Sequence, residues 1–178
     1  SADKPPEVPH MRHTIETGSD VAAWCAFDPG AVVSDLPNPA AAIEWERLEA
    51  LQVKNKLWLH STGSDGTYLV QVLVDESLPE HFAPHAKPIG KPTKLQVPTG
   101  TLCVSGAEDL ANVPIRPNQS ETVSIPAGTY DVSAWALEWP EDKVAAKLTE
   151  GVDEETLRRR NRIGLLGVGY FIATGICI

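Results

Sequence analysis

The stretch VPTGTLCVS, which runs from Val97 to Ser105, has a close copy in IPAGTYDVS, from Ile125 to Ser133. In both copies alternating apolar residues lead up to a Pro-x-Gly turn and resume after it, as in two β-strands joined by a tight reversal. Proline cannot donate to a strand ladder, and glycine readily adopts the positive φ that such turns require. A looser echo joins Leu57–His60 to Thr67–Val74 through STGSDG. These three turns predict three β-hairpins.

Gly100 and Gly128 hold the same place in the two longer copies, directly before Thr. A Gly-Thr pair sometimes binds an anion where a helix begins, but here each pair is followed by strand-like alternation. The spacing of the three turns is too irregular for a solenoid or a propeller. The repeated phrase therefore indicates scaffold rather than a binding site, and we expect a positive φ at both glycines.

Two further strands are predicted outside the hairpins. DVAAWCAF, from Asp20 to Phe27, is a short apolar run bounded by turn residues. IGLLGVGYFIATGICI, from Ile163 to Ile178, contains no charge. It is too short and too rich in glycine to span a bilayer, where about twenty apolar residues are needed. We interpret it as a central strand that is buried on both faces.

One helix is predicted before the first hairpin and two short helices near the C-terminus. Asn38 and Pro39 are expected to open the first helix as its N-cap and its first helical residue. Helical spacing then sets Trp45, Leu48 and Gln52 on one face. The two short helices are expected at Glu141–Glu150 and Glu154–Arg162. With the hairpins, this pattern predicts a mainly β protein, an antiparallel β-sandwich or a partly open barrel.

Length and composition fit one domain. A chain of 178 residues with 42% hydrophobic residues can bury a core without disulfides or metals. Residues 1–12 are interpreted as a disordered or vector-derived tail without a signal peptide, and residues 13–178 as a single β-rich domain. Cys25, Cys103 and Cys177 lie far apart in apolar stretches, which indicates buried thiols in a reducing compartment. We therefore expect a soluble, cytoplasmic protein.

The charge of the chain excludes some classes of partner. The formal net charge is −9, and Arg158–Arg160 follow Glu154 and Glu155 at helical spacing, which is typical of a solvated helix face. Nucleic acids and anionic membranes both require a basic surface on the protein. The sequence therefore favours a protein partner or a small ligand, with no nucleic acid and no membrane.

No cofactor or metal motif stands out in the chain. His81 and His85 have the spacing of metal ligands on a helix, but Pro84 between them breaks such a helix. Dinucleotide, Walker and serine nucleophile motifs do not occur in the sequence. We therefore predict neither a cofactor nor a metal.

Acidic and aromatic residues supply the remaining candidates. Glu108 and Asp109 form an acidic pair just beyond the second predicted hairpin, while Asp28 and Glu138 are further candidates for an acid and base pair. In a strand, Trp135, Leu137 and Trp139 share one face, which lines either the core or an aromatic groove. The candidate residues for ligand or partner binding are thus Trp135, Trp139, Glu108, Asp109, His81 and His85.

The preferred interpretation is a non-catalytic binding or interaction protein, because no catalytic motif is present. Two alternatives remain open. One is an acidic inhibitor or immunity-type protein that neutralises a basic partner. The other is a hydrolase that uses convergent carboxylates or histidines.

Overall fold

The computed structural model describes residues 11–36, 44–80, 82–111, 115 and 117–137, and the backbone of residues 167–176. Within these ranges the chain forms nine strands and two α-helices. The strands are β1 (Met11–Ser19), β2 (Ala23–Phe27), β3 (Leu57–Ser61), β4 (Gly66–Val74), β5 (Ala86–Val97), β6 (Thr101–Gly106), β7 (Thr122–Ser124), β8 (Gly128–Leu137) and β9 (Gly167–Ile176). The helices are α1 (Pro29–Val32) and α2 (Trp45–Val53), and short 3₁₀ helices cover Val33–Asp35, Ala83–His85, Ala107–Ala111 and Gln119–Glu121.

The strands are arranged in two sheets. One has five strands in the order β1-β4-β9-β8-β5, and the other has four in the order β3-β2-β6-β7. All neighbouring strands run antiparallel except β4 and β9, which are parallel. The described part of the chain is therefore mainly β and mostly antiparallel, as the sequence predicts, and neither sheet closes into a barrel.

A hydrophobic core draws its side chains from both sheets. Residues that alternate along β4 and β8 point toward residues of β2, β3 and β6 in the other sheet. Each large side chain that is fully buried here contributes about 1.5–3 kcal/mol through removal of apolar surface from water. The principal members of this core are Trp24, Trp58, Val70, Val72, Val97, Leu102, Val104, Tyr130 and Val132.

A second hydrophobic cluster covers the outer face of the four-stranded sheet. Leu48 and Leu51 of α2 and Val32 of α1 pack there against Cys25 and Phe27 of β2. Strand β2 is consequently buried on both faces, which explains its uninterrupted apolar sequence. Cys25 and Cys103 are free, buried thiols in this cluster, as predicted, whereas Cys177 lies outside the described residues.

The predicted hairpins are wrong, although the strands that flank them are present. The strands β3 and β4, β5 and β6, and β7 and β8 lie in different sheets, so each glycine-containing turn carries the chain from one sheet to the other. Alternation shows that a strand has an apolar face but does not identify the strand beside it. Here Val97 before the turn and Leu102 after it both enter the core between the sheets, so the crossing turn buries both apolar faces.

The two glycines of the repeated phrase differ in conformation. Gly100 has a φ of +76°, as expected. Gly128 is not among the glycines with positive φ, so the prediction for it is wrong. The physical reason is that Gly128 already belongs to β8 and lies opposite Val97 in the β5–β8 ladder, where the backbone is extended.

The helix before the first predicted hairpin exists but begins later than expected. Its first residue is Trp45 and its N-cap is Glu44, rather than Asn38 and Pro39, which lie outside the described residues. Leu48 and Leu51, three residues apart, form the buried face. Trp45, the first residue of the helix, is 48% exposed, so it does not join Leu48 on the buried face as predicted. The short helix α1, capped by the Asp28 side chain, was not predicted.

The apolar stretch near the C-terminus forms the middle of the larger sheet. Strand β9 lies between β4 and β8, which confirms the prediction of a central strand. The two short helices predicted at 141–162 lie outside the described residues. No helix in the described ranges is long and apolar enough to cross a membrane.

Candidate functional site

Three carboxylates meet at one end of the two sheets, and we call Glu108, Asp109 and Glu121 the acidic end. Glu108 and Asp109 lie on the 3₁₀ helix that follows β6 directly, and Glu121 ends the 3₁₀ helix that leads into β7. Because β7 pairs with β6, these two short helices are brought to the same region, next to the last residues of β1. The acidic pair predicted from the sequence thus acquires a third member.

Glu108 ties the end of β1 to the end of β6. Its Oε2 accepts a hydrogen bond from the Ser19 hydroxyl at 3.1 Å, and its Oε1 accepts one from the Asp20 backbone N–H at 2.8 Å. Gly106 makes room for this carboxylate, since a Cβ on that glycine would lie 2.3 Å from Oε1. Glu108 therefore contributes to the architecture of the acidic end as well as to its charge.

Asp109 is half-buried beside Ser105, whose side chain is fully buried. Burial raises the pKa of the Asp109 carboxyl above its ordinary value, and the negative charge of Glu108 acts in the same direction. A hydrogen bond with the Ser105 side chain opposes these effects in part. Ionised Asp109 is therefore less favourable in the folded protein than it is in water.

Glu121 is held by a hydroxyl from the other sheet. The Thr17 Oγ1 donates to Glu121 Oε1 at 3.0 Å, and Thr17 is only 2% exposed. Burial raises the pKa of Glu121, the Thr17 hydrogen bond lowers it, and the charges of Asp109 and Glu108 raise it further. The three carboxylates therefore influence one another electrostatically.

The loop between β1 and β2 is fixed beside these carboxylates. Ala22 has a φ of 52°, an uncommon value for a residue with a Cβ, and its N–H donates to Asp65 Oδ1 at 2.9 Å. The Ser19 Oγ accepts bonds from the N–H groups of Val21 and Ala23 at 3.2 and 3.1 Å. An uncommon backbone conformation such as that of Ala22 persists only where surrounding hydrogen bonds hold the backbone in place. The acidic end is thus a preformed feature.

The two described cysteines do not add a nucleophile to this region. Burial raises the pKa of the Cys103 thiol to about 12 and raises that of Cys25 well above its ordinary value. A thiol that stays protonated is a poor nucleophile and a poor metal ligand. Among the described residues, no group of three or more histidines, cysteines and carboxylates is placed to hold a metal ion.

Asp28, a candidate acid in the sequence, has a structural role. It is fully buried, and its carboxylate accepts bonds from the Gly30 N–H at 2.8 Å and from the N–H and hydroxyl of Thr99, both at 2.7 Å. These bonds cap α1 and hold the VPTG turn. Its partners are the Gly30 N–H and the N–H and hydroxyl of Thr99, so Asp28 anchors the scaffold.

The structure does not gather the other predicted site residues around the acidic pair. Trp135 is partly buried on the outer face of the five-stranded sheet, where it packs with Leu137 against Leu73 and Phe82. His85 ends the 3₁₀ helix Ala83–His85. The remaining candidates, His81, Trp139 and Glu138, lie outside the described residues.

Sequence reasoning missed Glu121 as a partner of the acidic pair. The signal was present, because Glu121 stands immediately before the apolar alternation that becomes β7, just as Glu108 and Asp109 stand immediately after β6. If those two strands are neighbours, their flanking carboxylates must lie at the same end of the sheet. That pairing is a long-range property which local alternation does not reveal.

Comparison with known proteins identifies a shared fold. No protein-family model and no curated protein matches the chain. The solved structure named Crocagin biosynthetic gene J is 15% identical, with a TM-score of 0.58 over 92% of this chain and 97% of that one. ComJ, inhibitor of the DNA degrading activity of NucA, from Bacillus subtilis, is 8% identical, with a TM-score of 0.47 over 96% of this chain and 99% of that one. The first likeness shows that the chain adopts a known fold.

Proposed function

We propose that the protein is a non-catalytic interaction protein that binds a basic partner protein through its acidic end. The observation that carries this proposal is the convergence of Glu108, Asp109 and Glu121 from two separate segments, beside a loop whose backbone is already fixed. A preformed surface binds with a small loss of conformational freedom. If the partner is an enzyme and this contact holds it inactive, the protein acts as an acidic inhibitor.

The energetics of the carboxylates support a cationic partner. The pKa values of Asp109 and Glu121 are raised mainly by burial, so their ionised forms have lost favourable hydration. A lysine or arginine side chain that approaches them restores favourable interactions for the charged form. The free energy that burial costs in the isolated protein is thus partly recovered in the complex.

The net charge of −9 supports the same class of partner. Opposite charges accelerate the encounter of two proteins at low ionic strength, and salt slows it because the screening length is about 8 Å at physiological ionic strength. The association rate should therefore decrease as salt is added. A neutral or acidic partner would not show this dependence.

The test is a comparison of Asp109→Lys with Glu49→Lys. Glu49 lies on the exposed surface of α2, so both substitutions change the net charge equally but only one changes the acidic end. Immobilised wild-type and variant proteins are exposed to lysate of the host, and retained proteins are identified by mass spectrometry. Association rates with the retained partner are then measured at low and high salt.

We expect Asp109→Lys to slow association by at least about tenfold and Glu49→Lys to have a much smaller effect. Asp109→Asn provides a milder variant, and thermal unfolding shows whether each variant is folded. Equal rates for Asp109→Lys and Glu49→Lys would remove the acidic end from the interface. A rate that does not depend on salt would remove electrostatic recognition altogether.

A second candidate function is hydrolysis by acid and base catalysis at the same carboxylates. It is favoured by one observation, the raised pKa values of Asp109 and Glu121, since a carboxyl that retains its proton nearer to neutral pH is suited to act as a general acid. In glycosidases, two carboxyl groups on either side of the scissile bond act as such an acid and base.

Release of reducing ends from a panel of polysaccharides tests this second candidate. Catalysis predicts that Asp109→Asn and Glu121→Gln each abolish release, whereas Asp131→Asn, an exposed carboxylate on β8, does not. Turnover that survives both substitutions would exclude the acidic end as its source. Partner binding without turnover favours the interaction protein.

A further inference from the structure

The edges of the two sheets differ in how well they are protected against strand addition. In the five-stranded sheet, β5 forms one edge and carries Pro88 and Pro92, and its pairing with β8 shifts register between Ile89 and Thr93. Farther along, the Gln96 N–H donates to the Asn55 carbonyl oxygen at 2.8 Å. Prolines, irregularities and covering segments are the means by which proteins block an edge strand. The β5 edge is therefore blocked along most of its length.

The opposite edge of that sheet, β1, is more regular, although its last residues contact the 3₁₀ helices of the acidic end through Thr17 and Ser19. It pairs with β4 through all nine residues from Met11 to Ser19 without a register shift, and it contains no proline. The described residues place no further strand beside it. The edges of the other sheet are shorter, with five residues in β3 and three in β7. Among the four edge strands of the described structure, β1 is thus the one that is both long and regular.

The sequence of β1 is complementary to itself when two copies run antiparallel. If Thr14 lies opposite Thr14 of a second copy, Arg12 of each chain lies opposite Glu16 of the other. Cross-strand pairs of opposite charge and Thr-Thr pairs both stabilise antiparallel strands. On the inner face the same register sets His13 opposite Ile15.

Neighbouring registers lose this complementarity. A shift that moves the two-fold axis to His13 sets Arg12 opposite Thr14, and a shift to Ile15 sets it opposite Gly18. Offsets by a single residue would pair an outer face with an inner face. The opposite charges therefore select the register that is centred on Thr14.

The existing contact of Arg12 is compatible with this pairing. Its Nη2 lies 2.8 Å from Glu76 Oε2 in its own chain, and the side chain is still 46% exposed. A guanidinium has five N–H donors, so it can serve two carboxylates. Glu76 holds Arg12 in place on the outer face, where the second copy's Glu16 would approach.

We propose that β1 is a self-association edge, at which a second copy of the chain adds its own β1 antiparallel about a two-fold axis at Thr14. The two five-stranded sheets then form one continuous ten-stranded sheet. Main-chain hydrogen bonds supply the affinity and the Arg12–Glu16 pairs fix the register. This inference does not depend on the function proposed for the acidic end.

A dimer formed in this way is weak. A ladder from Met11 to Thr17 is small beside the about 1,200–2,000 Å² that standard protein interfaces bury. Sedimentation equilibrium of the full chain over a wide range of concentrations should therefore show a reversible equilibrium between monomer and dimer. A monomer at every concentration up to about 1 mM overturns the proposal.

Charge reversal then tests the register. Arg12→Glu gives each β1 two glutamates, and Glu16→Arg gives each β1 two arginines, so either variant alone should dimerise at least about tenfold more weakly than the wild type. When the two variants are mixed, every glutamate again lies opposite an arginine. The mixture should form a heterodimer with an affinity close to that of the wild-type dimer.

Lys94→Glu is the matched control, because it reverses a charge on β5, at the other edge of the same sheet. It should leave the dimerisation constant unchanged within about threefold. Thermal unfolding of each variant at low concentration checks that the monomer is folded. Failure of the mixture to associate, or a dimer that Arg12→Glu does not weaken, would show that the copies meet elsewhere or in another register.

Discussion

Replacing Asp28 with asparagine tests whether a buried carboxylate holds the VPTG turn. The asparagine side chain is nearly isosteric, and its oxygen can keep the bonds from the Gly30 N–H and the Thr99 hydroxyl. Its amide nitrogen then faces the Thr99 N–H, which donates to Asp28 Oδ2 at 2.7 Å in the wild type. One bond to a charged acceptor is lost, and the part-buried Thr99 N–H loses its partner. We expect a loss of about 2–4 kcal/mol in the free energy of unfolding.

Urea unfolding followed by the fluorescence of the buried Trp24 and Trp58 measures this loss. The midpoint should decrease while the dependence on urea stays the same. The control is Asp131→Asn, since Asp131 pairs with Lys94 at 2.9 Å and both side chains are about half exposed. An exposed pair of this kind contributes only about 0–1 kcal/mol, so the control should cost far less.

A double-mutant cycle that combines Thr99→Val with Asp28→Ala, which removes the carboxylate entirely, isolates the contact itself. Valine keeps the shape of threonine and removes the hydroxyl that donates to Asp28 Oδ1 at 2.7 Å. Groups in direct contact couple by about 0.5–3 kcal/mol, so the double variant should lose less than the sum of the single losses. Strict additivity, or a loss for Asp28→Asn no larger than for Asp131→Asn, would refute the assignment of Asp28 as the anchor of the turn.

Three further predictions concern the turn, the central strand and the acidic end. Gly100→Ala should cost at least about 1 kcal/mol more than Gly63→Ala, because both glycines have a φ of +76° but only a Cβ at 100 would lie 2.9 Å from the Ile125 carbonyl oxygen. Equal decreases in Tm would contradict this. Deletion of residues 171–178 should abolish cooperative thermal unfolding, because β9 joins β4 to β8; a cooperative transition in the shortened chain would show that the sheet closes without it. Asp109→Asn should raise Tm at pH 7 and have little effect near pH 3. Because the pKa of Asp109 is raised in the folded protein, its ionised form lowers stability only when the pH is above its ordinary pKa. An equal change in Tm at pH 3 and pH 7 would therefore argue against an effect of burial on Asp109.

Strands were predictable from the sequence, but their neighbours were not. Alternation located the strands on either side of the VPTG turn because a half-buried strand has a period of two residues. Whether such a turn reverses within one sheet or crosses to another depends on which distant strand covers the apolar face. In this protein β5 pairs with β8, and β6 pairs with β2 and β7, so the two strands that flank the VPTG turn do not pair with each other. The central strand was predictable because its apolar run is uninterrupted.

The candidate site was predictable only in part for the same reason. Glu108 and Asp109 stand out locally as an acidic pair after a strand. Their interaction with Glu121 depends on the pairing of β6 with β7, and the Thr17 hydroxyl comes from the other sheet. Asp28 was singled out as an acid because sequence shows the carboxylate but not the donors that surround it, which come from Thr99 in a distant turn.

The position of β9 has a consequence for the order in which the protein folds. Tyr68 in β4 lies opposite Gly167, so this parallel ladder closes a very long loop, whose entropic cost must be met before its contacts form. While the chain beyond Leu137 is still being synthesised, β4 and β8 each have one side without a neighbour, and the sheet consists of two separate halves. Open edges of this kind are where nascent chains aggregate. Aggregation should therefore be most favoured before β9, the strand that joins the two halves of the sheet, has been synthesised.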